Sequence, residues 1–85
     1  MKVAFQMDPI GSVDFEVDST FRLAEDAQAR GHELWHYTPD CLSFREGHVV
    51  ARAQPLTVQR VKGDHAQLGE TVDLDLADVD TVWLR

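Results

Sequence analysis

The chain has 85 residues, 44% hydrophobic and 27% charged, which is apolar enough for one small domain with a core and too apolar for a disordered segment. Fifteen acidic and eight basic residues give a formal charge of −7, which repels phosphate backbones and anionic membranes, so neither nucleic acid nor a membrane is an expected partner. No stretch is apolar for long enough to span a bilayer, the start turns polar at Asp8 too early for a secretory signal, and the lone Cys41 fits a reducing cytoplasm.

Residues 2 to 7 read as a buried strand, with Val3, Phe5 and Met7 on one face and small Ala4 on the other. Asp8-Pro9 ends it, because proline donates no hydrogen bond and restricts the residue before it. Residues 8 to 18 form a loop that includes Gly11 and is long for a strand-to-helix connection. Asp18-Ser19-Thr20 supplies three N-capping residue types, and Phe21, Leu23, Ala24 and Ala27 give the following helix a narrow apolar face. Glu25 and Asp26 are read as early acids and Arg30 as a late base along the helix dipole, with Gly31 as the left-handed cap.

A second strand is expected at about Glu33 to Tyr37, ended by Thr38-Pro39-Asp40. Strand, helix and strand in close order imply a right-handed βαβ unit with parallel strands. Leu42 and Phe44 then alternate with polar residues, Arg45-Glu46-Gly47-His48 reads as a tight turn, and alternation resumes at Val49, so a β-hairpin is expected. Pro55 is read as interrupting the returning strand, which Leu56, Val58 and Val61 resume. Gly63-Asp64 marks a turn, Thr71 to Leu76 reads as an alternating strand, and Asp80 to Arg85 as a strand pattern that simply stops. That stop is read as a sign of truncation, and an exposed end strand with a cut sheet edge predicts self-association.

Open α/β sheets bind ligands at the carboxyl ends of their strands, beside helix N-termini whose free N–H groups suit a carboxylate. Asp8, Pro9, Ile10, Ser19 and Thr20 are therefore the first binding candidates. On the residues alone, strand termination at Asp8-Pro9 and capping at Ser19 or Thr20 are favoured over ligand contact. His32 and His36, four apart on a strand, are separated by roughly 13 Å and do not suit one ion; surface or half-buried histidines are expected. Cys41 has no acid–base partner nearby in sequence and is expected to be a buried, inert thiol. Asp73, Asp75, Asp78 and Asp80 lack the glycine and glutamate of a calcium loop and read as a solvated strand face and turn. Trp35 and Tyr37 are expected in or near the core. No glycine-rich phosphate loop is present, so ATP binding by this chain alone is not expected.

The order of motifs resembles the N-terminal domain of prokaryotic glutathione synthetase, an ATP-grasp ligase family. Met7-Asp8-Pro9-Ile10 matches the family's opening, Asp18-Ser19-Thr20 its first helix start, Arg30-Gly31 with Glu33-Leu34 its helix end, and Leu76-Ala77-Asp78-Val79-Asp80 the segment entering a strand that carries an arginine, here Arg85. The resemblance runs the length of the chain, although the acidic, proline-rich segment that follows that arginine in the family lies beyond Arg85. It implies a small Rossmann-like α/β domain, preceding the ATP-grasp part, with a βαβ unit, a parallel sheet and an added hairpin. The implied reaction joins γ-glutamylcysteine to glycine: ATP phosphorylates the cysteinyl carboxylate and the glycine amine attacks, with Mg²⁺ balancing charge. Nucleotide and metal belong to later domains, leaving this segment substrate and subunit contacts and no activity alone. Arg85 then joins the binding candidates, its planar fork suited to a substrate carboxylate, and a cytoplasmic homo-oligomer is expected. A stand-alone α/β binding or scaffold domain is the rival reading, and a ligase for other small amino-acid substrates a third.

Overall fold

In a computed structural model of the protein, residues 1–7, 19–59, 61 and 65–84 are described. Their elements are β1 (Lys2–Gln6), α1 (Ser19–Ala29), β2 (Glu33–Tyr37), β3 (Leu42–Arg45), β4 (His48–Val58), β5 (Ala66–Leu68), β6 (Val72–Asp75) and β7 (Thr81–Leu84). Single 3-10 turns cover Pro39–Cys41 and Leu76–Asp78. The seven strands make one curled mixed sheet of order β3-β4-β2-β1-β7, with β5 and β6 also paired to β4. Its centre is parallel: Val3 lies opposite Leu34 of β2 and Thr81 of β7. β4 joins that centre antiparallel through Leu34 and Leu56, so the expected βαβ unit and hairpin meet in one sheet.

Strand alternation sorts two cores. Val3, Phe5 and Met7 pack beneath α1 with Phe21, Ala24, Ala27, Leu34, Leu56 and Val58. Each large side chain fully buried there contributes about 1.5–3 kcal/mol. Ala4 points to the other face, among Trp35, Tyr37, Ala51, Ala53 and Leu74, with Leu76 and Val79 packed against them. α1 ends as expected at Gly31, whose φ of 83° places it in the left-handed region. Gly31 N–H donates to Gln28 O at 3.0 Å and His32 N–H to Ala27 O at 3.1 Å, so two end carbonyls are satisfied. The hairpin turn is Glu46-Gly47, both at positive φ (49° and 83°), between the paired Arg45 and His48.

Several expectations are corrected. Glu25 and Asp26 lie in the second half of α1, whose first turn carries no acid and whose last turn carries no base, so the dipole does not order these charges. Asp26 instead pairs with Arg30, just past the helix, at 3.0 Å. Pro55 does not interrupt β4, which runs unbroken from His48 to Val58 and stops short of exposed Val61. Gly69 N–H donates to Pro55 O at 2.9 Å, and the reciprocal bond that proline cannot make is replaced by Gln54 Nε2 donating to Gly69 O at 3.1 Å. A Cβ on Gly69 would sit 3.3 Å from the Pro55 ring, so glycine leaves room for it. Leu76 leaves the β6 alternation and begins a 3-10 turn, and β5 was not foreseen. The turn expected at Gly63-Asp64 lies outside the described residues.

Candidate functional site

The carboxyl ends of β1, β2 and β7 lie side by side, because both neighbours of β1 are parallel to it. Gln6 is opposite Tyr37 on one side and Leu84 on the other. The ladder extends one step further, with Met7 N–H donating to Tyr37 O at 3.2 Å. The strands leading to positions 8 and 85 are thus adjacent at one sheet edge. Asp8, Pro9, Ile10 and Arg85 themselves lie outside the described residues. Of the other two candidates, Ser19 is exposed in the first turn of α1, whereas Thr20 is buried. Both are helical, within α1, and Asp18 lies outside the described residues.

The same edge holds a pair that sequence reasoning missed. Tyr37 OH donates to Gln6 Oε1 at 3.1 Å, and Tyr37 is only 2% exposed. Burial pushes its phenol above the usual tyrosine value, so it stays a neutral donor through physiological pH. Strand parity was the available signal: Gln6 and Tyr37 meet only once the parallel register is known. Cys41 is half-buried rather than buried, with Sγ 3.3 Å from Thr38 Oγ1.

The histidines separate as their surroundings dictate. His32 precedes β2, with Nδ1 3.4 Å from the Met1 amino group, while His36 is buried within β2 opposite Phe5, not half-exposed. The aspartates are engaged with neighbours: Asp73 faces Arg45 at 3.5 Å and Arg52 at 4.0 Å, and Asp75 meets His48 Nδ1 at 2.9 Å. Asp80 Oδ2 accepts from Lys2 N–H at 2.7 Å. Among the described residues no three His, Cys, Asp or Glu side chains converge to hold a metal ion.

An apolar groove of about 320 Å³ lies elsewhere, on the α1 side of the sheet between the helix and β7. Val3, Phe5, Leu23, Ala27 and Trp83 line it, with Asp26, Arg30 and His32 at its rim. Met1, His32 and Thr81 put it toward the amino ends of the strands, away from the edge that leads to positions 8 and 85.

Comparison with known proteins gives a consistent result. A family model described as prokaryotic glutathione synthetase, N-terminal domain, matches residues 1–85. A glutathione synthetase of Brucella melitensis biotype 1 is 54% identical over the whole chain, and those of Mesorhizobium japonicum and Rhodopseudomonas palustris are each 49% identical over the whole chain. In each case the match covers 27% of the relative, so the chain spans about a quarter of the length of these proteins.

Proposed function

From the premise that this chain belongs to the family of prokaryotic glutathione synthetase N-terminal domains, we propose that it is the substrate-side opening part of an ATP-dependent ligase joining γ-glutamylcysteine to glycine. The observation that carries this reading is the family match over all 85 residues. The parallel edge of β2, β1 and β7 supports it, because that edge leads to the residues the resemblance nominates.

In this reading the substrate carboxylate is held by groups on adjacent elements. Ser19 and the first-turn N–H groups of α1 supply neutral donors, and Arg85 supplies a bidentate cation. Asp8, Pro9 and Ile10 shape the loop leaving β1. Thr20, buried against the core, contributes by fixing the helix start. The chain's −7 charge disfavours an anionic substrate, so an arginine at this edge does work that the remaining surface cannot. ATP and Mg²⁺ supply carboxylate activation in the full-length enzyme. Both are assigned to the later part of the enzyme, as the resemblance to the family implies. We place that enzyme in the cytoplasm as a homo-oligomer, with the isolated 85 residues inactive.

The test uses the full-length enzyme supplied with ATP, Mg²⁺, glycine and γ-glutamylcysteine. Arg85→Ala is expected to raise KM for γ-glutamylcysteine by about tenfold to a hundredfold, the loss of a charge-assisted hydrogen bond, with a smaller change in kcat. No ATP-dependent glutathione formation by the unaltered enzyme would reject the reading in favour of a stand-alone binding domain or a ligase for other substrates.

A further inference from the structure

We propose that Gln6 binds the dipeptide substrate, donating a hydrogen bond from its side-chain amide to the carbonyl oxygen of the γ-glutamyl link, and that Tyr37 is the residue that positions this amide. The inference rests on the ligase reading and gives its substrate one more contact. Gln6 stands out from its strand. It is the one polar residue between Lys2 and Met7, in a strand paired on both sides by parallel neighbours. Such strands normally carry apolar side chains on both faces. Gln6 shares the face of Ala4, where Trp35, Tyr37 and Leu74 are buried. Two apolar side chains of similar shape would serve packing there equally well, because replacing both partners of a buried hydrogen bond is close to neutral. Stability alone therefore does not call for the Gln6–Tyr37 pair.

Its location calls for a ligand instead. Gln6, Tyr37 and Leu84 are the last residues of β1, β2 and β7, and they lie opposite one another in register. Together they form the rim of the carboxyl ends, where open α/β sheets bind ligands. Tyr37 is buried and Gln6 half-buried, so the pair runs from the core out to that rim.

The hydrogen bond fixes which atom the rim presents. Tyr37 OH holds Gln6 Oε1 at 3.1 Å, and burial keeps the phenol protonated and donating. With the oxygen engaged by the core, the amide is oriented and its Nε2, which only donates, is left for an acceptor beyond the pair. An amide held in advance loses little freedom on binding. Ser19 and the first-turn N–H groups, assigned to the substrate carboxylate, belong to α1, whereas Gln6 lies on the opposite face of the sheet. A separate, neutral acceptor on the same substrate suits a neutral amide donor there, and the γ-glutamyl carbonyl is that acceptor.

Steady-state kinetics of the full-length enzyme test this, with γ-glutamylcysteine, glycine and ATP varied in turn. Gln6→Glu keeps an oxygen for Tyr37 but removes the Nε2 donor, and Gln6→Met removes both without adding charge. Each is expected to raise KM for γ-glutamylcysteine by about threefold to tenfold, with KM for glycine and ATP within about twofold of the unaltered enzyme. Tyr37→Phe leaves the donor but frees the amide, so its effect should be smaller and should vanish when Gln6 is already Met. A Gln6→Glu enzyme with unchanged KM for γ-glutamylcysteine would make the pair purely structural and overturn the proposal. An equal rise in KM for glycine or ATP would overturn it too. Calorimetric titration with γ-glutamylcysteine separates the two readings. If the unaltered enzyme binds the dipeptide without ligating it, only the ligase reading fails, and the Gln6 variants should still bind it more weakly. If it does not bind the dipeptide, both fail.

Discussion

Two residues show how local chemistry is set by distant partners. Tyr37 is the chain's one tyrosine, so its titration can be followed optically without interference. Burial raises its folded value, whereas the unfolded chain ionises near the ordinary value of about 10. The resulting stability is fully present below about pH 10 and is lost as pH rises through the folded value. Phenolate absorbance should therefore reach its midpoint at higher pH in the native chain than in urea; coincident midpoints would contradict the burial. Gln54 makes a second case, its amide replacing the donor that Pro55 lacks. Gln54→Leu leaves Gly69 O without that bond and should lower stability by about 0.5–1.5 kcal/mol in denaturant titrations, while Gln67→Leu on exposed β5 should change little.

At the scale of elements, β4 is the organising strand. Its eleven residues pair with β2, β3, β5 and β6, and its Ala51 and Ala53 are fully buried against the second core. Small side chains there let β6 and the Leu76–Asp78 turn close over Trp35 and Tyr37. Ala51→Leu should overpack this contact and cost about 1–3 kcal/mol, lowering the thermal midpoint. Phe44→Ser, on the same face of the paired strand β3 but 73% exposed, should be close to neutral. Equal effects of the two would mean that the Ala51 face is not packed. Much of this level was legible in the residues: α1 with its Gly31 cap, and the hairpin with its Glu46-Gly47 turn, depend on neighbours a few positions apart. Pro55 was misread because its compensation comes from Gln54 acting on Gly69, a pairing only the fold creates. β5 escaped notice because Ala66-Gln67-Leu68 has no pattern of its own and is a strand only because β4 offers an edge.

For the whole molecule, charge and size govern behaviour. The ion pairs described, Arg30–Asp26, Arg45–Asp73 and Arg52–Asp73, and the His48–Asp75 contact are largely exposed and contribute little each. Against them stands the self-repulsion of a −7 chain. Moderate salt should therefore raise the denaturation midpoint, and a fall would show that the pairs outweigh the repulsion. The candidate site divides along the same line. Its location at the carboxyl edge of a βαβ unit followed from element order and motif resemblance. Ser19 at the helix start is a local feature of the chain, but the exposure of Ser19, the burial of Thr20 and the Gln6–Tyr37 pair required the packed sheet.

By itself the sequence determined the parallel unit, the helix with its cap, the hairpin and the family, because capping, turn geometry and alternation act over a few residues and ordered motifs survive as a linear record. Only the tertiary structure decided that β7 joins β1, that β4 serves four partners, and that Tyr37 reaches Gln6. Those pairings close loops of tens of residues, and their free energy comes from burial and register that no short window of sequence contains.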